Sequence, residues 1–318
     1  MDLPGSIQRI KYYLTDKVFV NSYIITGTTF SILIDSGVVT MKNQYLQLIE
    51  DLNKTSKPLK LLINTHAHHD HIGCNNTIQH NTGCLIMAPM GSEKWIENID
   101  LNYEEFALPF PHIHPDSNIK RGEIYHSMDG NSKVNLLAQE GDVIRIDDLE
   151  LIVISLPGHI DHELGLIELS TKTLILGDII VRTDIPIFPG HLRPSQLRKS
   201  LQKIENILDQ YSIERVLTGH FNPMSKEETI QQVHKVYDYL STIDEIILKT
   251  LESHQKACLQ LLWSNVCEGL NKEKEFRAIS LVHHHLLDLM ESGQIEKLNE
   301  KEEVYWRKKC HLTSSLEI

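Results

Sequence analysis

A short histidine-rich stretch constrains the fold of this chain more than any other feature. The sequence NTHAHHDHIG, residues 64–73, has four histidines and one aspartate in six consecutive positions, directly after the apolar run LKLLI. Such a run is typical of a short buried strand. His66 and His68 alternate along an extended segment and therefore point to the same side of the chain. Asp70 and His71 follow where the chain is expected to turn into a helix, so they can face a second, neighbouring position.

Three further apolar runs end in a glycine and one residue of a metal-binding type. LIVISLPGHI leads to His159, TLILGDI to Asp178 and IERVLTGH to His220. Glycine permits a sharp backbone turn, so that the next side chain can face a cleft. Packing of an apolar core does not require a His or Asp at these strand ends. Imidazole and carboxylate groups are, however, common ligands of transition metals. The sequence therefore predicts that seven side chains from four strand ends converge on a metal site.

In these motifs the chain resembles the metallo-β-lactamase superfamily, specifically its binuclear, glyoxalase-II-like and β-lactamase-like hydrolases. HAHHDH, PGH, LGD and TGH follow the order and approximate spacing of that family's motifs and cover residues 18–223. The resemblance implies a complete ligand set for two ions. His66, His68 and His159 would bind one ion, Asp70, His71 and His220 would bind the second, and Asp178 would bridge the two.

The predicted ligands are imidazoles and carboxylates without a thiolate. This set suits two divalent zinc ions, which we expect first, but iron or manganese would bind it as well. The five cysteines are an odd number without a CxxC pair. They indicate free thiols in a reducing compartment rather than disulfides or a thiolate zinc site.

Two residues outside the ligand set are candidates for supporting roles. Asp35, in IDSG, matches an acidic position that lies behind the metal ligands in the family, where a carboxylate would fix the tautomer of a ligating histidine. The alternative is an aspartate that caps the turn beside Gly37. His162 follows His159 by three residues and is either a substrate or supporting contact, or a histidine of a surface loop. The sequence leaves both pairs of alternatives open.

Hydrophobic periodicity predicts an α/β fold with two β-rich halves. VFVNSYIIT and FSILIDSG predict a hairpin, MKNQYLQLIEDLNK an amphipathic helix, and HIGCNNTIQHN the continuation of a helix that begins near Asp70. DVIRI, LELIVISLP, LGLIELS and TLILGDII predict a second run of strands, followed by the helix SQLRKSLQKIENILDQY. Two such halves, each flanked by helices, predict a four-layer αβ/βα sandwich. We assign it to residues 1–224.

The regular pattern fails between residues 91 and 135. This stretch is rich in Pro, Gly, Asn and Ser, and a loop of this length inside a compact domain is usually functional. We interpret it as a lid or a substrate-binding insertion. Its histidines, His112, His114 and His126, are expected to be exposed rather than to bind metal.

Residues 225–318 are predicted to form a small helical domain. One long helix, with a break near Ser241, and two further helices precede the strands IEKL and VYWRK. This order resembles a winged-helix module, as in the β-lactamase-like endoribonuclease of mitochondria and the thioesterases of fungal polyketide pathways. Residues 251–318 carry nine Lys or Arg and eleven Asp or Glu, whereas a nucleic-acid-reading module is normally basic. We therefore expect this domain to pack against the catalytic domain or to shape its pocket.

The predicted centre indicates hydrolysis with metal-activated water as the nucleophile. Two neighbouring ions lower the pKa of bound water, and the sequence shows no GxSxG nucleophile elbow. Asp70 is expected to be a ligand and also the catalytic residue that exchanges a proton. The substrate expected first is a thioester, ester or lactone of a small acyl compound, free or carrier-bound. A single-strand endoribonuclease and a di-iron oxygenase on the same fold are the alternatives.

Charge and hydropathy narrow the class of partner. A net charge of −12 repels polyanions, which makes nucleic acid a less favoured partner. No stretch approaches the roughly 18 apolar residues of a membrane span, and the N-terminus lacks a signal pattern. We expect a soluble, cytoplasmic protein with no membrane partner, and the sequence leaves a homodimer open.

Overall fold

A computed structural model describes residues 3–185, 187–188, 190–300 and 303–309. The strands are β1 (Ile7–Tyr13), β2 (Phe19–Thr26), β3 (Ser31–Ile34), β4 (Leu59–Ile63), β5 (Leu85–Pro89), β6 (Leu136–Ala138), β7 (Val143–Ile146), β8 (Leu149–Ser155), β9 (Leu164–Glu168), β10 (Thr173–Leu176), β11 (Arg215–Leu217), β12 (Met224–Ser225), β13 (Ala257–Cys258), β14 (Ile295–Glu300) and β15 (Glu303–Lys308). The helices are α1 (Lys42–Lys54), preceded by a 3₁₀ turn (Val39–Met41), α2 (His69–Ile72), α3 (Asn75–Thr82), α4 (Glu93–Ile96), α5 (Ile99–Ala107), α6 (Asn118–Tyr125), α7 (Pro194–Gln210), α8 (Lys226–His254), α9 (Leu259–Gly269) and α10 (Phe276–Glu291).

The first sheet has the strand order β1-β2-β3-β4-β5-β6. Its first three strands are antiparallel, and β3 to β6 are parallel. Ile34, the last residue of β3, pairs with Ile63, the last residue of β4. Because parallel strands end at the same sheet edge, Asp35 and the histidine-rich stretch after β4 leave the sheet side by side.

The second sheet has the order β12-β11-β10-β9-β8-β7. β10 and β11 are parallel, whereas β9 runs antiparallel to both β8 and β10. β8, β10 and β11 therefore end at one edge of this sheet. Their last residues precede His159, Asp178 and His220, so the topology brings the three predicted ligands to the same edge.

Apolar side chains of the two sheets pack face to face in the centre of the molecule. Ile25, Ile32 and Ile63 from the first sheet meet Leu166 and Leu217 from the second, all almost fully buried. Helices α1 and α3 cover the outer face of the first sheet, and α7 with the first half of α8 covers the outer face of the second. The predicted four-layer αβ/βα architecture is confirmed.

Two helix boundaries differ from the prediction. The helix expected from Asp70 onward is interrupted, because the Gly73 N–H donates to Gly37 O at 2.7 Å instead of continuing a helical ladder. The break expected near Ser241 is absent from α8, and the Ser241 hydroxyl donates to Tyr237 O one turn earlier. Local composition indicates neither of these hydrogen bonds.

The insertion at residues 91–135 is more regular than predicted. It contains α4, α5 and α6, two of which are capped by side chains: Asn98 accepts from the first turn of α5, and Ser117 from that of α6. Trp95, Tyr103 and Ile124 are buried in an apolar cluster that the insertion shares with neighbouring parts of the chain, including Ile72 and Phe276. The Pro- and Gly-rich sequence obscured these short helices. His112 and His126 are exposed as expected, and His114 is half-buried.

Helix α8 is continuous and leads from the sandwich into the C-terminal part. The second half of α8 forms an apolar core with α9, α10 and a three-stranded sheet of order β13-β15-β14. Three helices and a terminal hairpin thus occur in the predicted order, with β13 as an additional strand. The winged-helix likeness and the boundary at residues 224 and 225 stay predictions. Within the described ranges, every helix is too short or too polar to cross a membrane.

Candidate metal centre

All seven predicted ligands meet where the facing edges of the two sheets adjoin. Potential ligand atoms lie within 4.8 Å of one another in three overlapping groups. The groups are His66 with His68 and His159, His66 with His71 and Asp178, and Asp70 with His71 and His220. The first and third groups coincide with the two predicted ion sites.

Asp178 lies between the two predicted sites. Its Oδ2 is 2.9 Å from His220 Nε2 and 3.8 Å from His159 Nε2, and its Oδ1 is 3.3 Å from His71 Nε2. The carboxylate therefore faces histidines of both groups. This is the placement that a bridging ligand requires.

Hydrogen bonds at the rear fix the histidines of the first group. His66 Nδ1 lies 3.0 Å from Thr65 Oγ1, and His159 Nδ1 lies 2.5 Å from Gly190 O. A carbonyl only accepts, so His159 Nδ1 carries the proton and its Nε2 carries a lone pair. That Nε2 lies 2.8 Å from His68 Nδ1, which is also 3.1 Å from His66 Nε2. Three imidazole nitrogens thus converge on one position.

The second group is oriented in the same way. His71 Nδ1 donates to Asp35 Oδ2 at 2.8 Å, and His220 Nδ1 donates to Phe19 O at 2.6 Å. Both Nε2 atoms then face the cluster, where Asp70 Oδ2 lies 3.4 Å from His220 Nε2. A ligating histidine typically donates its other ring N–H to a carboxylate or a carbonyl, as seen here.

Two buried polar atoms test whether the site fits a metal. Among the described residues, His71 Nε2 and Asp178 Oδ1 are inaccessible to solvent and, although they lie 3.3 Å apart, neither makes a hydrogen bond to the other or to a third group. Orphaned polar atoms of this kind cost free energy unless an unseen partner satisfies them. A divalent cation would satisfy both of them and the convergent lone pairs of the first group. The donor set therefore fits a divalent metal centre, and it does not specify which metal.

Burial and charge act differently on the two groups. Burial lowers the pKa of His66, His68 and His159 below the ordinary value, so these rings are neutral and ready to bind a cation. Burial also opposes protonation of His220, but the Asp178 carboxylate outweighs it and raises the pKa of His220 to about 10. A metal at the second group therefore competes with a proton.

Asp35 supports the second group from behind. It accepts the Thr65 N–H at 2.7 Å and the Thr65 hydroxyl at 2.8 Å in addition to its bond with His71. Of the two alternatives for Asp35, these contacts correspond to the carboxylate that orients a ligand. Asp35 bonds to His71, which is a ligand candidate, and it does not cap the turn beside Gly37. Gly219 also supports the centre, because a Cβ there would lie 2.2 Å from Asp178 Oδ1.

A cavity of about 400 Å³ opens onto the cluster. His68, Asp70, His159, Asp178 and His220 form one wall. The remaining wall is mostly apolar and comes from five parts of the chain: the β1–β2 connection, Val38 after β3, the insertion, the segment after β10, and α10. Its apolar side chains include Leu14, Val18, Phe106, Ile124, Ile180, Val181, Ile185, Phe188, Leu192 and Phe276. The insertion thus contributes to the cavity, as predicted for a substrate-binding element.

Comparison with known proteins decides the family. The Metallo-beta-lactamase superfamily matches residues 15–220, which is well over half of the chain and includes the whole cluster. The chain belongs to the metallo-β-lactamase superfamily. Members of this superfamily typically bind divalent metals, in agreement with the cluster.

Individual relatives within this superfamily are distant. Hydroxyacylglutathione hydrolase GloC of Haemophilus influenzae is 25% identical over 158 residues, which cover 48% of this chain and 66% of that protein. Acyl-coenzyme A thioesterase MBLAC2 of Gallus gallus is 33% identical over 91 residues, which cover 29% of this chain and 33% of that protein. The chain therefore spans about two thirds of the first relative and one third of the second.

A solved structure resembles the chain over most of its length. A metallo-beta-lactamase family protein from Thermus thermophilus superposes with a TM-score of 0.75 at 16% identity, and the match covers 97% of this chain and 100% of that protein. At this identity the likeness concerns the fold alone. It extends beyond the superfamily match into the C-terminal part.

His162 is the one predicted site residue that the structure places outside this metallo-β-lactamase centre. Its ring packs against Gly91, where a Cβ would lie 2.6 Å from His162 Cε1, and against Trp95 at a centroid distance of 5.7 Å. It lines a separate, smaller cavity. Of the two alternatives that the sequence left open for His162, this location does not correspond to a substrate or supporting contact in the main cavity, because the ring packs against Gly91 and Trp95 instead.

Sequence reasoning missed several residues that hold the superfamily's cluster in place. Glu163 is buried and its Oε1 accepts the backbone N–H of Asp178 at 2.7 Å. His69 Nδ1 lies 3.3 Å from Asp70 Oδ1 and lines the cavity. The position of His69 inside the histidine-rich motif was an available signal. Glu163 and the Gly190 carbonyl gave no signal, since each acts through a contact between distant parts of the chain.

Proposed function

We propose that the protein is a binuclear metal-dependent hydrolase that cleaves thioesters of apolar acyl compounds with water as the nucleophile. The observation that carries this proposal is the cavity itself, in which the donor cluster forms one wall and apolar side chains form most of the rest. Esters and lactones of the same acyl groups would fit the same cavity. The proposed metal is zinc, and iron and manganese suit the same ligands.

The assigned ligands define what the metal supplies. His66, His68 and His159 would hold one ion, Asp70, His71 and His220 the other, and Asp178 would bridge them. Two such ions, when bound, lower the pKa of water and polarise the carbonyl of the substrate. The rear hydrogen bonds to Asp35, Thr65, Gly190 and Phe19 keep four of the five histidine rings oriented toward this task.

Asp70 is the proposed proton acceptor. Burial raises its pKa, but the hydrogen bond from His220 and the positive rings nearby outweigh burial and hold the pKa well below its ordinary value. Asp70 is therefore ionised at neutral pH. Its Oδ1 faces His69 and its Oδ2 faces His220, so the carboxylate is held at the cavity wall, where it can accept a proton from water and return it to the leaving group.

The charged side chains of the wall favour an acyl substrate over a nucleic acid. Arg182 pairs with Asp184, and Arg277 pairs with Glu123 and Glu275. Both guanidinium groups are thus already neutralised by carboxylates. Phosphates of an RNA chain would have to compete for them, whereas each buried methylene of an acyl chain gains about 0.8 kcal/mol from the apolar wall.

The C-terminal part supports a pocket-forming role for this module. Phe276, Arg277 and Ser280 of α10 line the cavity directly. We therefore propose that the winged-helix-like tail shapes the acyl site and does not read nucleic acid. Among the relatives, one is named an acyl-coenzyme A thioesterase and the other a hydroxyacylglutathione hydrolase, and an acyl compound is common to both names.

Parallel assays of one zinc-loaded preparation test the proposal. The substrates are a series of acyl-coenzyme A thioesters, an acylated glutathione and a short single-stranded RNA. We expect thioester hydrolysis that rises with acyl length until the cavity is filled and that disappears after chelation. Cleavage of RNA at low enzyme concentration with intact thioesters would establish the endoribonuclease instead. Elemental analysis that finds two irons in the protein as purified, before zinc is added, together with visible absorption, would point to the oxygenase.

Replacement of the bridging candidate provides a second test. Asp178→Asn should reduce the metal content below two equivalents, because an amide is a poor bridging ligand. Asp161→Asn is the matched control, since Asp161 pairs with Arg193 and lies outside the ligand groups. Two full equivalents of metal in Asp178→Asn would refute the bridging assignment.

A further inference from the structure

We propose that the C-terminal helices orient the metal-ligand candidate His159 through a chain of three side chains, the partly exposed Asp244 and the buried His285 and His191. The inference rests on the proposed metal centre. It gives the C-terminal part a second role in addition to lining the cavity. His285 and His191 are positioning residues in this scheme and do not touch the metal or the substrate.

The chain links α8 and α10 to the segment before α7. His285 Nδ1 on α10 lies 2.6 Å from Asp244 Oδ1 on α8, and His285 Nε2 lies 2.8 Å from His191 Nε2. Both histidines are completely buried. Hydrogen bonds inside a protein fix the arrangement of the side chains that make them. Among the described residues, only the far nitrogen of the last ring, His191 Nδ1, lacks a partner in this chain.

The Asp244 carboxylate fixes the first of these hydrogen bonds, because it only accepts and His285 Nδ1 therefore donates to it. Arg198 on α7 also pairs with Asp244, at 2.8 Å. At the second contact one of the two facing Nε2 atoms of His285 and His191 donates and the other accepts. The ring of His191 is therefore held in one orientation from the C-terminal side.

The peptide bond transmits this orientation to the metal centre. The carbonyl of Gly190 and the N–H of His191 belong to the same planar unit. That carbonyl accepts the Nδ1 proton of His159 at 2.5 Å. If the position of His191 shifts, the plane of this peptide tilts and the acceptor behind His159 moves with it.

Further contacts show that the same helices hold the whole stretch in place. We call residues 183–185, 187–188 and 190–195 the wall segment, because several of them line the cavity. Lys272 donates to three carbonyls of the wall segment. Two backbone N–H groups of the wall segment also donate to carboxylates: Phe188 N–H to Glu275 at 3.0 Å and Ser195 N–H to Asp288 at 2.6 Å. These contacts come from the α9–α10 connection and from α10, whereas the wall segment follows the bridging candidate Asp178.

Metal binding without substrate tests the inference on the full-length protein. The variants are His285→Gln, which breaks the chain, and His284→Gln as the matched control. Among the described residues, the His284 ring bonds only to Ser280 O of its own helix. Val266→Ala, in the same apolar core but away from the wall segment, controls for lost stability. Zinc affinity is measured by competition with a chromophoric chelator, and ligand geometry by the visible absorption of the cobalt-substituted protein.

We expect His285→Gln to weaken one of the two zinc equivalents about tenfold and to change the cobalt spectrum, because the loss of an outer hydrogen-bond partner typically costs this much. His284→Gln and Val266→Ala should bind both ions as the wild type does. If His285→Gln does not fold, Asp244→Asn, which keeps the volume of the side chain and removes its charge, takes its place with the same expectation.

Three results would overturn the inference. Unchanged affinity and spectrum in the folded His285→Gln or Asp244→Asn protein would show that the chain does not reach the centre. An equal loss of affinity in Val266→Ala would show that stability alone is responsible. A wild type that binds no metal would remove the centre itself. A wild type that binds two ions but cleaves no thioester contradicts the proposed function and leaves this inference intact.

Discussion

Asp35 Oδ2 and His71 Nδ1 are 2.8 Å apart, although the two residues follow different strands of the first sheet. The register of β3 on β4 brings them together, since the last residues of the two strands are paired. A residue that follows β3 thus orients a ring in the histidine motif that follows β4. The predictions that follow depend on such contacts across the sheet edges.

Asp35→Asn should weaken metal binding about 10–100-fold, as is typical when an outer carboxylate partner of a ligating histidine is removed. The amide keeps the bond from Thr65 N–H but no longer strengthens the basicity of His71. Isothermal titration of the metal-free protein with zinc measures the effect. Asp51→Asn is the control, because Asp51 is an exposed residue of α1. Equal affinities in the two variants would contradict the orienting role.

Gly219→Ala should abolish stoichiometric metal binding while most of the fold is retained. The added Cβ would lie 2.2 Å from Asp178 Oδ1 and 2.6 Å from His71 Cε1, so at least one of these side chains must move. Gly5→Ala is the comparison, since nothing lies within 4 Å of a Cβ at that position. Elemental analysis and far-UV circular dichroism are the measurements, and full metal content in Gly219→Ala would show that the centre adapts more readily than we expect.

Phe276→Ala should shift the preference of the enzyme toward longer acyl chains. Phe276 is buried and lines the cavity, so its truncation enlarges the space available to the substrate at a cost of about 3 kcal/mol in the free energy of unfolding. Leu262→Ala in α9 should cost a similar free energy without a change in chain-length preference, because Leu262 is a core residue that does not line the cavity. Values of kcat/KM over a series of acyl-coenzyme A thioesters distinguish the two variants.

His283 should make the protein less stable in mild acid. Burial, with smaller contributions from His284 and Lys297, lowers the pKa of His283 to about 4, against 6.5 in an unfolded chain. Between these values the unfolded state binds more protons, so this contribution to stability is complete above pH 6.5 and is lost as the pH falls toward 4. His283→Gln should therefore lose less free energy of unfolding between pH 7 and 5 than the wild type, by about 1 kcal/mol for this half-buried ring.

Urea unfolding at the two pH values checks the size of this difference. His112→Gln, at an exposed position of the insertion, should follow the wild type. A pH dependence in His283→Gln equal to that of the wild type would mean that His283 titrates normally in the folded protein.

The sandwich and the ligand cluster were accessible from sequence because both depend on local patterns. His66 and His68 are two residues apart on an extended segment, and His159, Asp178 and His220 each follow an apolar run, so strand ends alone predicted their convergence. The short helices of the insertion were missed, because caps such as Asn98 and Ser117 lie among residues that also favour loops.

Residues that act through distant contacts could not be predicted. Nothing near Glu163 indicates that it binds the backbone of Asp178, and nothing near His191 indicates its bond to His285, which is 94 residues away. His162 is a different case, because the sequence left a cleft contact and a surface-loop position open. The structure places its ring beside Gly91, away from the metal-ligand cluster.

Helix α8 has a practical consequence for dissecting this protein. Its 29 residues serve two cores: Val233 and Leu240 cover the second sheet, whereas Ile247 and Leu251 belong to the C-terminal part. An expression fragment that stops at residue 224 would therefore expose to water the apolar surface of the second sheet that α8 covers, and it should aggregate. Any attempt to isolate the metal-binding half has to carry the first four turns of α8 with it.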